Sequence, residues 1–114
     1  MITLATLATA TPREVFAQVS AHLLAQNAKA ATYNKLNYDV ACCYRSGALK
    51  CAAGCLISDA EYSADMEGTS WRGLVERHAV PEAHRELIGK LQNIHDFRVP
   101  DTWASALGAL ECTL

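Results

Sequence analysis

The sequence lacks clusters of basic residues. Its ten Lys and Arg are scattered along 114 residues with no two adjacent, and the net charge at pH 7 is −2. Domains that bind nucleic acid usually carry a basic patch or stripe, so this distribution argues against a nucleic-acid partner.

Long hydrophobic runs are missing as well. No stretch approaches the ~20 apolar residues that span a bilayer, so we predict no membrane partner. The apolar segment 1–10 lacks a preceding basic region and is interrupted by threonines, which argues against a signal peptide. We therefore expect a cytoplasmic protein whose five cysteines are thiols or ligands rather than disulfides.

Common catalytic and cofactor motifs are also missing. The chain contains no glycine-rich phosphate loop, no Gly-x-Ser-x-Gly and no His-Glu-x-x-His. We predict no cofactor, and we expect a single domain over residues 1–114 with one core. The sequence leaves the oligomeric state open.

The first helix has the strongest local signals. Thr11, Pro12 and Glu14 provide an N-cap, a proline at the first helical position and a capping box. The helix should extend to about residue 30 or 31. One apolar face should be buried, and it comprises Val15, Phe16, Val19, Leu23 and Ala30.

A β-hairpin should follow this helix. Two short runs, Tyr38 to Arg45 and Leu49 to Ala52, flank a loop that contains Gly47. Pairing Arg45 with Lys50 would place Cys42, Tyr44 and Cys51 on one face of the hairpin, with Cys43 on the other.

Helices should make up the rest of the chain. Ser58 and Glu61 form a second capping box, which predicts a short helical turn over 59–63. Periodicity then predicts helices over 70–79, from Pro81 to about Asp96, and from Pro100 onward. His95 falls within the apolar arc of its helix, whereas His22 and His78 should lie at the surface or rim. The predicted fold class is α+β: a mainly helical single domain of four or five helices with one small β-hairpin.

Several motifs together resemble a family of small uncharacterised proteins from bacteriophages, prophages and bacterial genomes. The resemblance rests on CCYRSGALKCAAGCLISDAEYSADMEG, on the later LQNIHD and on the opening helix. It implies a phage or prophage origin and a cytoplasmic setting, but no activity. The turn SGAL lacks an acidic residue often present in that family, and Cys43 is an additional cysteine.

A structural zinc site is one alternative. Cys42, Cys43, Cys51 and Cys55 could combine with His95 or Cys112, and the set that we favour is Cys42, Cys51, Cys55 and His95. There is no Cys-x2-Cys pair, which a zinc knuckle uses to direct two sulfurs at one ion. Buried cysteine often acts as a small hydrophobic residue, so packing is the simpler interpretation.

A small cysteine-dependent enzyme is another alternative. Cys51 would be the nucleophile and His95 the base. Adjacent residues on a helix point about 100° apart, so Asp96 should not orient His95 as the acid of a catalytic triad would. A buried His95 whose ring binds a backbone carbonyl is the simpler interpretation.

The leading hypothesis is a non-catalytic protein that binds a host or phage protein. Acidic residues at positions 59, 61, 65 and 67 could attract a basic partner, and aromatic and Met side chains favour interfaces. The expected partner-binding residues are Tyr44, Arg45, Asp59, Tyr62, Met66 and Glu67. In the alternative interpretation, Arg45 pairs with Glu61, Glu67 or Asp96 and fastens the hairpin to the rest of the molecule.

Overall fold

A computed structural model describes residues 1–34 and 39–114. This part of the chain contains four α-helices: α1 (Pro12–Gln26), α2 (Trp71–Glu76), α3 (Arg85–Phe97) and α4 (Trp103–Glu111). It also contains four short strands: β1 (Ala31–Asn34), β2 (Asp39–Cys42), β3 (Arg45–Ser46) and β4 (Leu49–Lys50). The predicted α+β class with mainly helical content is confirmed. None of the described helices has the length and hydrophobicity that a membrane span requires.

Helix α1 begins as predicted and ends earlier. The Thr11 side chain accepts from the Glu14 N–H, and the Glu14 carboxylate accepts from the Thr11 N–H. The helix ends at Gln26 because Asn27 adopts a left-handed conformation with φ 50°. The predicted end at residue 30 or 31 is therefore wrong, although Ala30 is buried as expected.

The strands form two antiparallel hairpins in the described residues, where one was predicted. The predicted pairing of Arg45 with Lys50 is confirmed, but β3 and β4 have only two residues each. Strand β2 pairs instead with β1, a segment that begins at the predicted end of the first helix and for which no strand was predicted. Tyr38, the predicted start of the hairpin, lies outside the described residues.

The segment after β4 turns tightly into the core. The Cys51 N–H donates to the Tyr44 carbonyl, and a 3-10 helix over Ala53–Leu56 follows. A Cβ at Gly54 would lie 2.2 Å from the Tyr44 carbonyl oxygen, so only glycine fits there without displacement. This close approach packs the backbone of Tyr44, just before β3, against the 3-10 helix.

The short helical turn predicted after Ser58 is present as hydrogen-bonded turns rather than as a helix. The Glu61 carboxylate accepts from the Ser58 N–H, and the Tyr62 N–H donates to the Ser58 carbonyl. Glu61 also accepts from the N–H groups of Leu4 and Ala5. It thus connects the amino-terminal segment to this loop across more than fifty residues of sequence.

Helix α3 begins four residues after the predicted Pro81. His84 has φ 60°, which interrupts a helix, and its ring Nε2 lies 2.7 Å from the Ala10 carbonyl oxygen. His78, also at positive φ, is exposed as expected. A 3-10 turn over Pro100–Thr102 leads into α4, in place of the α-helix predicted to start at Pro100.

The core lies between α1, α3, α4 and the 3-10 helix over Ala53–Leu56. The predicted stripe of α1 is buried in full, and so are the key apolar positions of the other helices. These positions are Trp71, Leu74, Ile88, Leu91, Trp103 and Leu107.

Candidate functional site

A cleft of about 470 Å³ runs along one face of α3. We call it the α3 cleft. Its α3 wall comprises Gly89, Gln92, Asn93, Asp96 and Phe97. These residues are spaced i, i+3, i+4, i+7 and i+8, so they form one helical stripe. The opposite wall includes Cys42, Tyr44, Glu67, Trp71 and Arg72.

His95 is fully buried next to the cleft wall. Its Nε2 accepts a hydrogen bond of 3.0 Å from the Ala30 N–H, and its Nδ1 lies 2.7 Å from Asp96 Oδ1. The ring stacks on Trp103 with centroids 5.6 Å apart. Because Nε2 accepts, the hydrogen-bond pattern assigns the ring proton to Nδ1, which donates to the carboxylate.

This arrangement corrects two predictions about His95. Asp96 does orient the ring, because Asp96 Oδ1 lies at hydrogen-bond distance from His95 Nδ1. Gln92 Nε2 donates to the same Asp96 oxygen at 2.7 Å and holds the carboxylate in place. The ring nitrogen Nε2 binds a backbone N–H rather than a carbonyl. The sequence placed His95 in the core correctly but did not identify its partners.

The zinc set predicted from sequence is not assembled. In the described residues, the one group of three potential ligands comprises Cys42, His95 and Asp96, with ligand atoms within 4.8 Å of one another; Cys51 and Cys55 do not belong to it. A metal on His95 Nδ1 would require the ring proton on Nε2, and that position faces the Ala30 N–H. The donor set therefore does not suit a metal ion.

The thiol enzyme is also disfavoured by geometry. Cys51 is buried in the core, and its sulfur accepts from the Gly54 N–H at 3.2 Å. Burial raises the pKa of the Cys51 thiol, so the nucleophilic thiolate is suppressed. Both ring nitrogens of His95 are engaged by Ala30 and Asp96, which leaves no free base for Cys51.

Two other thiols of the predicted zinc set, Cys42 and Cys55, are not activated either. Burial, followed by the charge of Asp96 and by the hydrogen bond that the thiol donates to its carboxylate, raises the pKa of Cys42 to about 11. Burial raises the pKa of Cys55 to about 12, and its thiol donates to the Ala52 carbonyl. These cysteines pack in the protein as small hydrophobic groups with weak donors.

Part of the predicted partner-binding set is buried, which is a correction. Tyr44 and Met66 are each only 6% exposed. The Tyr44 hydroxyl donates to the Thr69 carbonyl at 2.6 Å, and its ring packs edge-on against Trp71. Burial raises the Tyr44 pKa, so the phenol stays protonated. Met66 therefore offers a partner almost no surface, and the small exposed part of Tyr44 belongs to a residue that lines the cleft.

The other four predicted partner-binding residues mostly bind one another. These residues are Arg45, Asp59, Tyr62 and Glu67. The Glu67 carboxylate accepts from the N–H groups of Tyr44 and Arg45 and from the Tyr62 hydroxyl. The Arg45 guanidinium binds Asp59 at 2.6 Å and the Ile57 carbonyl, and it lies over the Tyr62 ring. Arg45 thus fastens the second hairpin to the following loop, as the alternative interpretation expected, although its acidic partner is Asp59.

Four residues of the cleft were not identified as candidates from sequence: Trp71, Gln92, Asn93 and Phe97. Trp71 is 3% exposed, and its indole N–H has no acceptor among the described residues. Phe97 is 82% exposed at the cleft. The helical spacing of Gln92, Asp96 and their neighbours was a signal for a polar face on α3, but nothing in it specified the opposite wall.

Comparison with known proteins gives no relative: no family model, curated protein or solved structure matches this chain. The resemblance to the phage and prophage family therefore stays a prediction.

Proposed function

We propose that this is a small non-catalytic binding protein of phage or prophage type, and that it holds a segment of a host or phage protein in the α3 cleft. The observation that carries the proposal is the cleft itself. Its volume of about 470 Å³ falls in the range typical of ligand sites, ~300–1,000 Å³, as do clefts of about 460 and 580 Å³ elsewhere, so its lining is what distinguishes it. Its lining includes three aromatic residues and an arginine, Tyr44, Trp71, Phe97 and Arg72, which are residue types enriched at protein interfaces.

The hydrogen bonds and raised pKa values of the reactive side chains support a binding role rather than catalysis. His95 uses both ring nitrogens in internal hydrogen bonds, and the thiols of Cys42 and Cys51 have raised pKa values. Side chains in this state stabilise the fold around the cleft. They provide neither an activated nucleophile nor a free base.

The proposed setting is the cytoplasm, and the proposed partner is a protein rather than nucleic acid. All five cysteines are free thiols, which fits a reducing compartment. The scattered basic residues and the net charge of −2 do not suit phosphate binding. The phage or prophage origin rests on the motif resemblance alone.

A matched pair of glycine variants tests the proposal. A Cβ at Gly89 or at Gly108 would meet nothing within 4 Å, and both glycines lie on helices, but only Gly89 lines the α3 cleft. Gly89→Phe should fill the cleft, whereas Gly108→Phe should leave it open. Tagged wild-type protein and both variants are used to capture proteins from cells of its natural host, with and without phage infection.

A protein retained by the wild type and by Gly108→Phe, and lost with Gly89→Phe, is the expected result. Circular dichroism and thermal unfolding of both variants confirm that each one is folded. Capture of the same proteins by all three chains would show that the cleft is not the binding site.

A further inference from the structure

The four histidines of the chain differ in what a proton would do to their contacts. Nε2 of His22 lies 2.9 Å from the Lys50 carbonyl oxygen, and Nε2 of His84 lies 2.7 Å from the Ala10 carbonyl oxygen. A carbonyl only accepts, so both rings donate, and a protonated ring would donate in the same way. His78 is exposed, where water can solvate either form. Protonation therefore breaks no hydrogen bond at His22 or His84.

His95 differs because its Nε2 is an acceptor. The Ala30 N–H donates to this nitrogen at 3.0 Å, and the ring is fully buried. A proton on Nε2 would place two N–H donors against each other and would put a cation in a buried site. The arrangement in the structure therefore accepts His95 only in its neutral form, with the ring proton on Nδ1.

Two charged groups lie next to His95 in the described residues, and they act in opposite directions. The Asp96 carboxylate accepts from Nδ1 at 2.7 Å and favours a cation on the ring. The Lys29 ammonium, from the segment between α1 and β1, binds the Asp96 carbonyl at 2.9 Å and opposes a second cation there. The direction of the Ala30 N–H then decides, because a donor that faces a donor cannot be accommodated without movement.

The other groups around His95 and Asp96 are neutral. The Cys42 thiol from β2 lies close to both, and burial is the main cause that raises its pKa to about 11. Burial also raises the pKa values of Cys51 and Tyr44, with a smaller contribution from Asp96. Trp103 from α4 stacks on the ring and carries no charge. His95 is therefore the group here that gains a charge between neutral and mildly acidic pH.

Ala30 connects α3 to the hairpin of β1 and β2, which we call the first hairpin. Its N–H binds His95, and its carbonyl accepts from the Cys43 N–H at 2.8 Å, next to the end of β2. The two strands pair with each other over four positions, so they hold together without α3. Cys42 and Cys43 lie in the lining of the α3 cleft.

We propose that His95 is a pH-sensitive latch: the neutral ring holds the first hairpin on α3 through the Ala30 N–H, and protonation of the ring releases it. One proton is taken up at Nε2, and the Nδ1–H bond to Asp96 is kept within α3. Release moves Cys42 and Cys43 away from α3 and opens that side of the cleft. The latch concerns this chain alone, so it goes beyond the proposed function and does not depend on it.

Amide hydrogen exchange of the ¹⁵N-labelled protein, followed by nuclear magnetic resonance between pH ~7.5 and ~5.5, tests the latch. The protection of the Ala30 N–H, corrected for the intrinsic exchange rate at each pH, should fall by up to about tenfold per pH unit, because opening takes up one proton. Ala30 should also exchange faster than Leu91 in the middle of α3, because the hairpin opens without global unfolding. The Arg77 N–H, which donates to the Gly73 carbonyl at the end of α2, is the local reference and should show no such fall.

His95→Gln is the matched variant, because the glutamine carbonyl oxygen can accept from the Ala30 N–H and takes up no proton in this range. It should make the protection of Ala30 independent of pH. His22→Gln and His84→Gln are the controls and should leave the fall at Ala30 unchanged. Asp96→Asn keeps the ring but removes the charge that favours the imidazolium, so the fall should begin at a lower pH.

Three results would overturn the latch. These are a His95 ring proton on Nε2 in ¹⁵N spectra at neutral pH, an Ala30 protection that does not change with pH, or equal protection of Ala30 and Leu91 at every pH. If His95→Gln does not fold, Asp96→Asn decides, and a fall at the same pH as in wild type would contradict the proposal. The capture experiment with Gly89→Phe is performed at neutral pH, so failure of the latch and failure of the proposed function are distinguishable.

Discussion

His95 combines complete burial with hydrogen bonds at both ring nitrogens. The apolar spacing on its helix predicted that it would be buried, because an inward position depends only on helical geometry. Its partners could not be predicted in the same way. The Ala30 N–H comes from a segment sixty-five residues away, and the contact with Asp96 depends on a side-chain conformation that Gln92 fixes.

Gly54 illustrates a residue whose role depends on a long-range approach. We expect Gly54→Ala to lower the free energy of unfolding by about 1–3 kcal/mol, because its Cβ would overlap the Tyr44 carbonyl and force the backbone apart. Urea unfolding followed by fluorescence measures this loss.

Gly108→Ala is the control for that measurement. Its Cβ would meet nothing within 4 Å on helix α4, so it should raise stability by about 0.5–1 kcal/mol through the better helix propensity of alanine. Equal effects of the two substitutions would contradict the close contact at Gly54.

Among the elements, helices were more predictable than strands. The caps of α1 and the apolar stripes of α3 and α4 are local signals, and the structure contains them. Strand β1 was missed because Ala28, Ala30 and Ala31 continue a helical composition. The left-handed Asn27 ends the helix, and pairing with β2 then determines the strand. The start of α3 was misplaced because His84, rather than Pro81, sets it.

The loop after Ser58 gives a prediction for stability against pH. Burial raises the pKa of Glu61, but hydrogen bonds from the backbone N–H groups of Ser58, Leu4 and Ala5 outweigh it, so the pKa is lowered. A group with a lowered folded pKa adds stability above its unfolded pKa, near 4.5, and loses it as the pH falls through the folded pKa. Glu61→Gln should therefore be less stable than wild type at pH 7, and the gap should narrow by pH 3.

Urea unfolding of both chains at several pH values between 7 and 3 provides the test. Glu111→Gln is the control, because Glu111 is exposed near the end of α4 and has no side-chain hydrogen bond in the described part of the chain. The free energy of unfolding of Glu111→Gln should differ little from that of wild type at either pH. A gap between wild type and Glu61→Gln that stays constant with pH would show that the lowered pKa does not stabilise the loop.

At the scale of the whole molecule, the binding surface that we propose differs from the one predicted from sequence. Sequence placed it on the second hairpin and the acidic loop, because aromatic and acidic residues are close together there. In the structure, Arg45, Glu67 and Asp59 mainly bind within this region, and Met66 is buried. Glu67 and Tyr44 still contribute to the cleft, but its second wall comes from α3. The two walls come together only in the tertiary fold. The sequence therefore indicated residues of each wall but could not predict that they form one cleft.

The central claim is that the α3 cleft receives a partner protein, and site-specific photo-crosslinking in cells tests it most directly. Benzoyl-phenylalanine replaces Phe97, which is 82% exposed at the cleft, or Leu24, which is 48% exposed on α1 and does not line it. The account predicts a discrete crosslinked protein from position 97 that is absent from position 24 and is lost when Gly89→Phe fills the cleft. Crosslinking from position 97 that persists in Gly89→Phe, or the same product from both positions, would contradict it.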